Sequence, residues 1–262
     1  MDDKFDVIVI GGGQSGLAVG YYLRRTGLTF TILDKEEEAG GAWRHFWKSL
    51  RLFSPAQWSS LPGVIMPGGG NYYPTREETI QYLCEYEQRY QLPVKRPVLV
   101  KSITRKGEGF QVETTDGLYD AKAVVSATGS FDNPYIPWYL GAETFQGEIL
   151  HSSQYISPEP FKSRRVAVVG EGNSGAQILA EISLITETIW ITLEEPRFLA
   201  DHIDGRYLFD AATQMYEAKK QGRAYKSPSL REIVMVQTVQ EARARGVFKK
   251  SFRPFSQFTE KG

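Results

Sequence analysis

Apolar and polar positions follow one pattern in two separate parts of the chain. FDVIVI (5–10) and RVAVVG (165–170) are short apolar runs, rich in β-branched residues, that stop at glycine, the signature of buried parallel strands. Each run leads into a predicted helix, from Gln14 to Arg25 in the first case and from about Asn173 to Leu184 in the second. A second apolar run follows each helix, LTFTIL (28–33) and TIWITL (188–193), with Gly27 closing the first helix. The order is β-α-β, written once near residue 7 and again near residue 166.

Other texture lies between the two units. Residues 40–74 are rich in Gly, Pro, Ser and large rings, among them Trp43, Phe46, Trp47, Phe53, Trp58, Tyr72 and Tyr73. They read as long ordered loops, with too much aromatic surface to leave in water. TREETIQYLCEYEQRY (75–90) reads as a helix, with Ile80, Leu83, Cys84 and Tyr90 on one face. PVLVKSI, GFQVETT and LYDAKAVVSATG are short strands, with TTDG (114–117) as a hairpin turn. From Ser130 to Arg165, prolines and glycines punctuate a connecting segment. Helices over about 206–221 and 228–245 end the pattern. The expected class is α/β: two Rossmann-like dinucleotide-binding domains, three-layered, with a small β-meander in the first.

Composition narrows the chemistry. Lys+Arg and Asp+Glu both number 31 in 262 residues, so no long-range attraction to nucleic acid or anionic membrane is expected. No apolar run approaches the ~18 residues of a membrane span, and MDDKF does not open a signal peptide, so a cytoplasmic protein is expected. Cys84 is the only cysteine and reads as a core thiol. A redox-active pair, as in a disulfide oxidoreductase, is excluded within this sequence. His45, His151 and His202 lack paired-ligand spacing, so no metal site is expected. Ser15 and Ser174 lie in GQSG and GNSG, without the second glycine of a hydrolase nucleophile turn.

The chemistry sits in the two glycine motifs. Gly11, Gly13 and Gly16 form one G-x-G-x-x-G, and Gly170, Gly172 and Gly175 form the other, each between a predicted strand and helix. The first glycine permits the tight turn, the second lets backbone amides approach a pyrophosphate, and the third lets the helix pack closely. Asp34 and Glu194, at the ends of the second strands, are placed to accept from ribose hydroxyls. Two such sites suggest two dinucleotides, a flavin that is held and a nicotinamide cofactor that is exchanged.

Further motifs make a resemblance specific. LDKEEEAGGAW (33–43), SATG (126–129) and FQGEILHSSQY (145–155), the last matching F-x-G-x-x-x-H-x-x-x-[YF] at Phe145, Gly147, His151 and Tyr155, resemble those of class B flavin-containing monooxygenases. The resemblance implies FAD, reduced by NADH or NADPH, which reacts with O2 and passes one oxygen to a small soft nucleophile such as a sulfide or amine. It implies that Gly11, Gly13, Gln14, Ser15, Gly16, Asp34, Lys35, Gly41 and Trp43 surround FAD. Val100 would touch the adenine, and Ala127, Thr128 and Gly129 would lie on the pyrophosphate side. Gly170, Gly172, Asn173, Ser174, Gly175, Leu193 and Glu194 would take the nicotinamide dinucleotide.

Leu193 and Glu194 offer no positive charge, so NADH or little preference is expected, with Arg197 nearby. Phe53, in SLRLFSPA (49–56), falls where many relatives carry an Asn near the flavin. His151 and Tyr155 are expected to organise the linker. Residues 1–138 would be the FAD domain, 139–164 the linker and 165–262 the NAD(P)H domain. No nucleic-acid or membrane partner is implied, and a homodimer is compatible. A Baeyer–Villiger monooxygenase is the competing reading, although its pattern usually ends in Trp where Tyr155 stands. The family pattern continues beyond residue 248, so a truncated nucleotide-binding body that holds FAD weakly is a further alternative.

Overall fold

The computed structural model describes residues 3–225 and 232–260. The chain divides into two compact units, Met1–Leu52 with Ser59–Pro134, and Phe53–Trp58 with Tyr135–Gly262. The segment 139–164, read from the sequence as a linker, falls within the second unit.

In the first unit the chain runs β1 (Asp3–Ile10), α1 (Gln14–Leu23), β2 (Phe30–Leu33), α2 (Arg76–Arg89), β3 (Val94–Lys95), β4 (Val100–Lys106), β5 (Gly109–Thr114) and β6 (Leu118–Ser126). All six strands join one mixed sheet in the order β3-β2-β1-β6-β5-β4. β1 pairs in parallel with β2 and β6, and Ile10 stands opposite both Leu33 and Ser126. The expected meander is therefore an antiparallel extension of the Rossmann-like sheet. Its residues Val112, Tyr119 and Ala121 bury one face of the central strands with Ile8, Ile10 and Leu33.

α1 covers the other face, burying Gly16, Leu17, Gly20 and Tyr21. α2 starts at a reciprocal cap: Glu78 N–H donates to the Thr75 hydroxyl (3.2 Å) and Thr75 N–H to the Glu78 carboxylate (2.8 Å). Its buried tyrosines anchor the loop before it, Tyr82 donating to Val64 O and Tyr86 to Pro62 O, both at 2.7 Å. Burial pushes the phenol of Tyr86 well above its ordinary pKa. Cys84 is only half-buried, its thiol directed at Ala39 O at 3.4 Å, because the buried face of α2 runs through Thr79, Tyr82, Leu83 and Tyr86.

The β1–β2 register is clamped at its start. The Asp6 carboxylate accepts from Lys122 Nζ (2.7 Å) and from the N–H and hydroxyl of Thr29 (both 2.9 Å). Lys122 first, then Thr29, hold its pKa down to about 2 from 3.8. A depressed carboxylate contributes stability that is complete above its unfolded pKa and lost as pH falls through the folded one. The thermal midpoint is therefore expected to fall from pH 3.8 to about 2. Asp6→Asn should flatten that limb, and an unchanged acid limb in a thermal melt series would refute the assignment.

The second unit contains β7 (Val166–Val169), α3 (Asn173–Ile182), β8 (Thr188–Ile191), α4 (Arg206–Lys220) and α5 (Gln237–Ala244). β7 and β8 form a parallel two-stranded sheet. Ala176, Leu179, Trp190, Ile233, Met235 and Val239 make its core. The three-layer arrangement expected here is not present among the described residues. Val169 and Ile189, on the far face of the sheet, stay exposed, so α3 and α5 cover one side only.

The helix expected over 228–245 is also shorter. Residues 228–231 lie outside the described residues, and the helix itself begins at Gln237. Ile233, Val234 and Met235 are buried in extended backbone, where Ile233 N–H donates to Arg197 O and Leu199 N–H to Ile233 O. This apolar run serves as a bridge to Phe198 instead of continuing a helix face. Among the described residues no helix is long and apolar enough to cross a membrane.

Candidate dinucleotide sites

The first glycine loop turns directly from β1 into α1. Gly11 has φ +105°, and its N–H donates to Leu33 O at 2.8 Å. A side chain there would collide with Ala127 O at 2.5 Å, so the loop is pressed against the Ala127–Gly129 segment after β6. Gly16 lies over Gly11 O so closely that a Cβ has no room, which lets α1 approach the turn. Gly13 differs: a Cβ there would meet nothing within 4 Å. The open space lies at the N-terminus of α1, where unpaired N–H groups and the positive dipole end favour an anion. A pyrophosphate fits this cradle.

Around it the structure gathers most of the predicted set. A Cβ on Gly41 would lie 2.8 Å from Gly13 Cα, so the GGAW turn closes against the loop. Trp43 Nε1 donates to Gln14 Oε1 at 3.1 Å. Its indole continues into a ring cluster with Phe46, Trp47, Phe131 and His45. Ser15 is exposed on the first turn of α1. Lys35 is held by Asp132 (2.7 Å) and Glu36 (3.3 Å), and the Asp132 bond foremost raises its pKa. Val98 N–H donates to Asp34 O at 2.7 Å, which brings the stretch leading to Val100 beside β2.

Two residues, Arg96 and Glu87, escaped the sequence reading, and they act on one that did not, Asp34. Asp34 is 4 % exposed, and its Oδ2 accepts from Arg96 Nε at 3.0 Å. Arg96 in turn grips Glu87 of α2 with both terminal nitrogens, each at 2.7 Å. The guanidinium fixes the orientation of the Asp34 carboxylate, whose Oδ1 makes no hydrogen bond to the described residues. The only sequence signal was a lone Arg beyond a strand, which does not reveal its partners.

The second loop repeats the backbone turn of the first. Gly170 has φ +121°, and its N–H donates to Ile191 O at 2.8 Å. A Cβ on Gly175 would lie 2.6 Å from Gly170 O, and one on Gly172 would meet nothing within 4 Å. This cradle also fits a pyrophosphate. Trp190 Nε1 donates to Gly170 O at 2.9 Å and supports the loop from below. The Asn173 side chain accepts from Val234 N–H at 2.8 Å, so it ties the loop to the Ile233–Met235 bridge. Ser174 is exposed on α3, and Leu193 and Glu194 stand exposed just past β8. Glu171 was also missed: its Oε2 accepts from Leu193 N–H at 3.0 Å.

The F-x-G-x-x-x-H-x-x-x-Y motif has a structural reading within the second unit. The tip of the Phe145 ring sits over Gly147, leaving no space for a Cβ, and the ring packs on Phe258 at 5.0 Å. His151 caps a short 3-10 turn, Ser152–Gln154, its Nδ1 accepting from Ser153 N–H at 3.1 Å. Tyr155 is buried and donates to Glu181 of α3 at 2.7 Å; burial first, then Glu181, raises its pKa. Phe53 packs its ring on Gly205 and accepts Gly205 N–H at 2.8 Å, at the start of α4. No group of three or more His, Cys, Asp or Glu is placed to hold a metal ion among the described residues.

Comparison with known proteins agrees with this geometry. The profile of the pyridine nucleotide-disulphide oxidoreductase family matches residues 8–234. A flavin-containing monooxygenase from Stenotrophomonas maltophilia is 50% identical with a TM-score of 0.87, over 98% of this chain and 72% of that one. An uncharacterized oxidoreductase of Geobacillus kaustophilus is 41% identical over 80% of this chain and 60% of its own length. An indole-3-pyruvate monooxygenase of Oryza sativa is 33% identical over 67% of this chain and 44% of its own. The chain thus spans about 60% or less of these two curated relatives. With two glycine loops of one design and a profile match over most of its length, the chain belongs to the pyridine nucleotide-disulphide oxidoreductase family, as a homologue of its class B flavin monooxygenases.

Proposed function

We propose that this chain is the nucleotide-binding part of a flavin-dependent monooxygenase that uses NAD(P)H and O2 to oxygenate a soft nucleophile, such as a sulfide or amine. The observation that carries the reading is the pair of cradles, each open at its second glycine, Gly13 or Gly172, and closed where the third, Gly16 or Gly175, presses on the carbonyl of the first. FAD belongs at the first and the nicotinamide dinucleotide at the second, which makes each unit one dinucleotide domain. Bound FAD supplies hydride acceptance and oxygen activation. The residues of this chain bind, orient and keep water out. Gly13 gives the pyrophosphate room, Asp34 Oδ1 accepts from ribose, and the Trp43–Phe46–Phe131 rings form an apolar wall beside the loop.

The test is a titration with FAD to saturation, followed by anaerobic addition of NADH. Bound flavin should show bands near about 370 and 450 nm, and the second should bleach as hydride arrives. Admitting air with a thioether present should return the band and yield sulfoxide. Bound flavin that no nicotinamide nucleotide can bleach would overturn the reading.

A further inference from the structure

The end of β8 carries two charged groups that the G-x-G-x-x-G pattern does not specify. Phe252 lies alongside β8 as a parallel bridge to Ile191, with Phe252 N–H donating to Trp190 O (2.8 Å) and Thr192 N–H to Phe252 O (2.9 Å). This pairing delivers the next residue, Arg253, to the rim of the second loop, where Nη1 donates to Leu193 O at 2.6 Å. From the opposite side Glu171, between Gly170 and Gly172, accepts Leu193 N–H at 3.0 Å. One exposed residue is therefore bracketed by a carboxylate on its N–H and a guanidinium on its carbonyl. Each bracket uses a single atom. Glu171 Oε1 and the Nε and Nη2 groups of Arg253 make no bond to the described residues.

We propose that Glu171 and Arg253 together decide which adenosine ribose the second loop accepts. Glu171 takes the 2′-hydroxyl of NADH and repels a 2′-phosphate, while Arg253 pairs with the 2′-phosphate of NADPH. The proposal rests on the second loop being the nicotinamide dinucleotide site. It adds to the expectation drawn from Leu193, Glu194 and Arg197. Arg197 sits on backbone paired to Ile233, and Lys250 lies over the Phe252 ring at 4.6 Å, whereas Arg253 is tied to Leu193 itself. With both charges at the rim, the two nucleotides bind within about tenfold of each other.

Calorimetric titration with adenosine 5′-monophosphate and adenosine 2′,5′-bisphosphate tests this without turnover. Glu171→Gln keeps an acceptor for Leu193 N–H and removes the charge, so the bisphosphate should gain about tenfold relative to the monophosphate. Arg253→Met should cost the bisphosphate about tenfold and leave the monophosphate unchanged, with Arg253→Lys restoring part of the loss. Binding of both ligands with a ratio that neither variant moves would overturn the proposal alone. So would a ratio that follows Glu194→Gln instead. If neither nucleotide binds the wild type, the assignment of the second loop falls, and the proposal with it.

Discussion

Gly13→Val is expected to raise the dissociation constant for FAD by about a hundredfold or more while the protein stays folded, because a side chain there fills the space reserved for the pyrophosphate. The geometry separates the two effects. Among the described residues a Cβ on Gly13 meets no atom within 4 Å beyond its chain neighbours, and the residue is extended, with φ −82° and ψ −168°, a conformation open to valine. Gly172 is alike in both respects, with φ −88° and ψ 177°. Gly172→Val should therefore leave flavin binding intact and abolish flavin reduction by NADH and NADPH. Thermal melts should show each variant within about 1 kcal/mol of the parent, a cost set by valine being a poorer helix N-cap than glycine. Loss of the same function in both variants would end the assignment of one dinucleotide to each loop. A collapse of the melt would show that the cradles are packed protein instead of ligand space.

The second large effect is expected at Arg96. Its guanidinium is the shared partner of two carboxylates, and the three side chains are 5 to 17% exposed. Arg96→Met would leave Asp34 and Glu87 facing one another with no counter-charge. Removing one partner from such a buried ion group costs about 3 to 5 kcal/mol, since the remaining charge stays desolvated. The same change frees Asp34 to rotate away from the position in which Arg96 holds it, so flavin affinity should fall along with the melting temperature. The pairing of effects is the diagnostic. Glu87→Gln weakens the grip on Arg96 but leaves the Arg96–Asp34 bond, and should lower stability more than flavin affinity. If Arg96→Met melts like the wild type, the triad contributes no stability here, and its role in orienting Asp34 would need another basis.

Much of the scaffold could be read before any coordinates. The β-α-β order was legible because a buried parallel strand, a glycine turn and an amphipathic helix are each specified by neighbours within a few residues. Positive φ at Gly11 and Gly170, and close approach at Gly16 and Gly175, are local demands that only glycine meets, so the motif states them directly. The same locality made the capping box at Thr75 and Glu78 readable in principle, although the helix was found from its periodicity instead.

What the sequence did not reveal was decided by residues that meet only after the chain has folded. Arg96 finds Glu87 and Asp34 because β3, which follows α2 and ends at Lys95, pairs with β2, and no spacing rule joins those three positions. Phe53–Trp58 groups with the second unit through contacts such as that of Phe53 with Gly205, although its neighbours in sequence belong to the first. The apolar run Ile233–Met235 looked like a helix face, yet backbone pairing with the Arg197–Leu199 segment holds it extended. Arg253 reaches the second loop only because Phe252 pairs with β8. Local sequence determined the turns and the elements, since their energetics are settled among near neighbours. The tertiary structure alone decided which distant charges share a site, because that depends on which surfaces burial brings together.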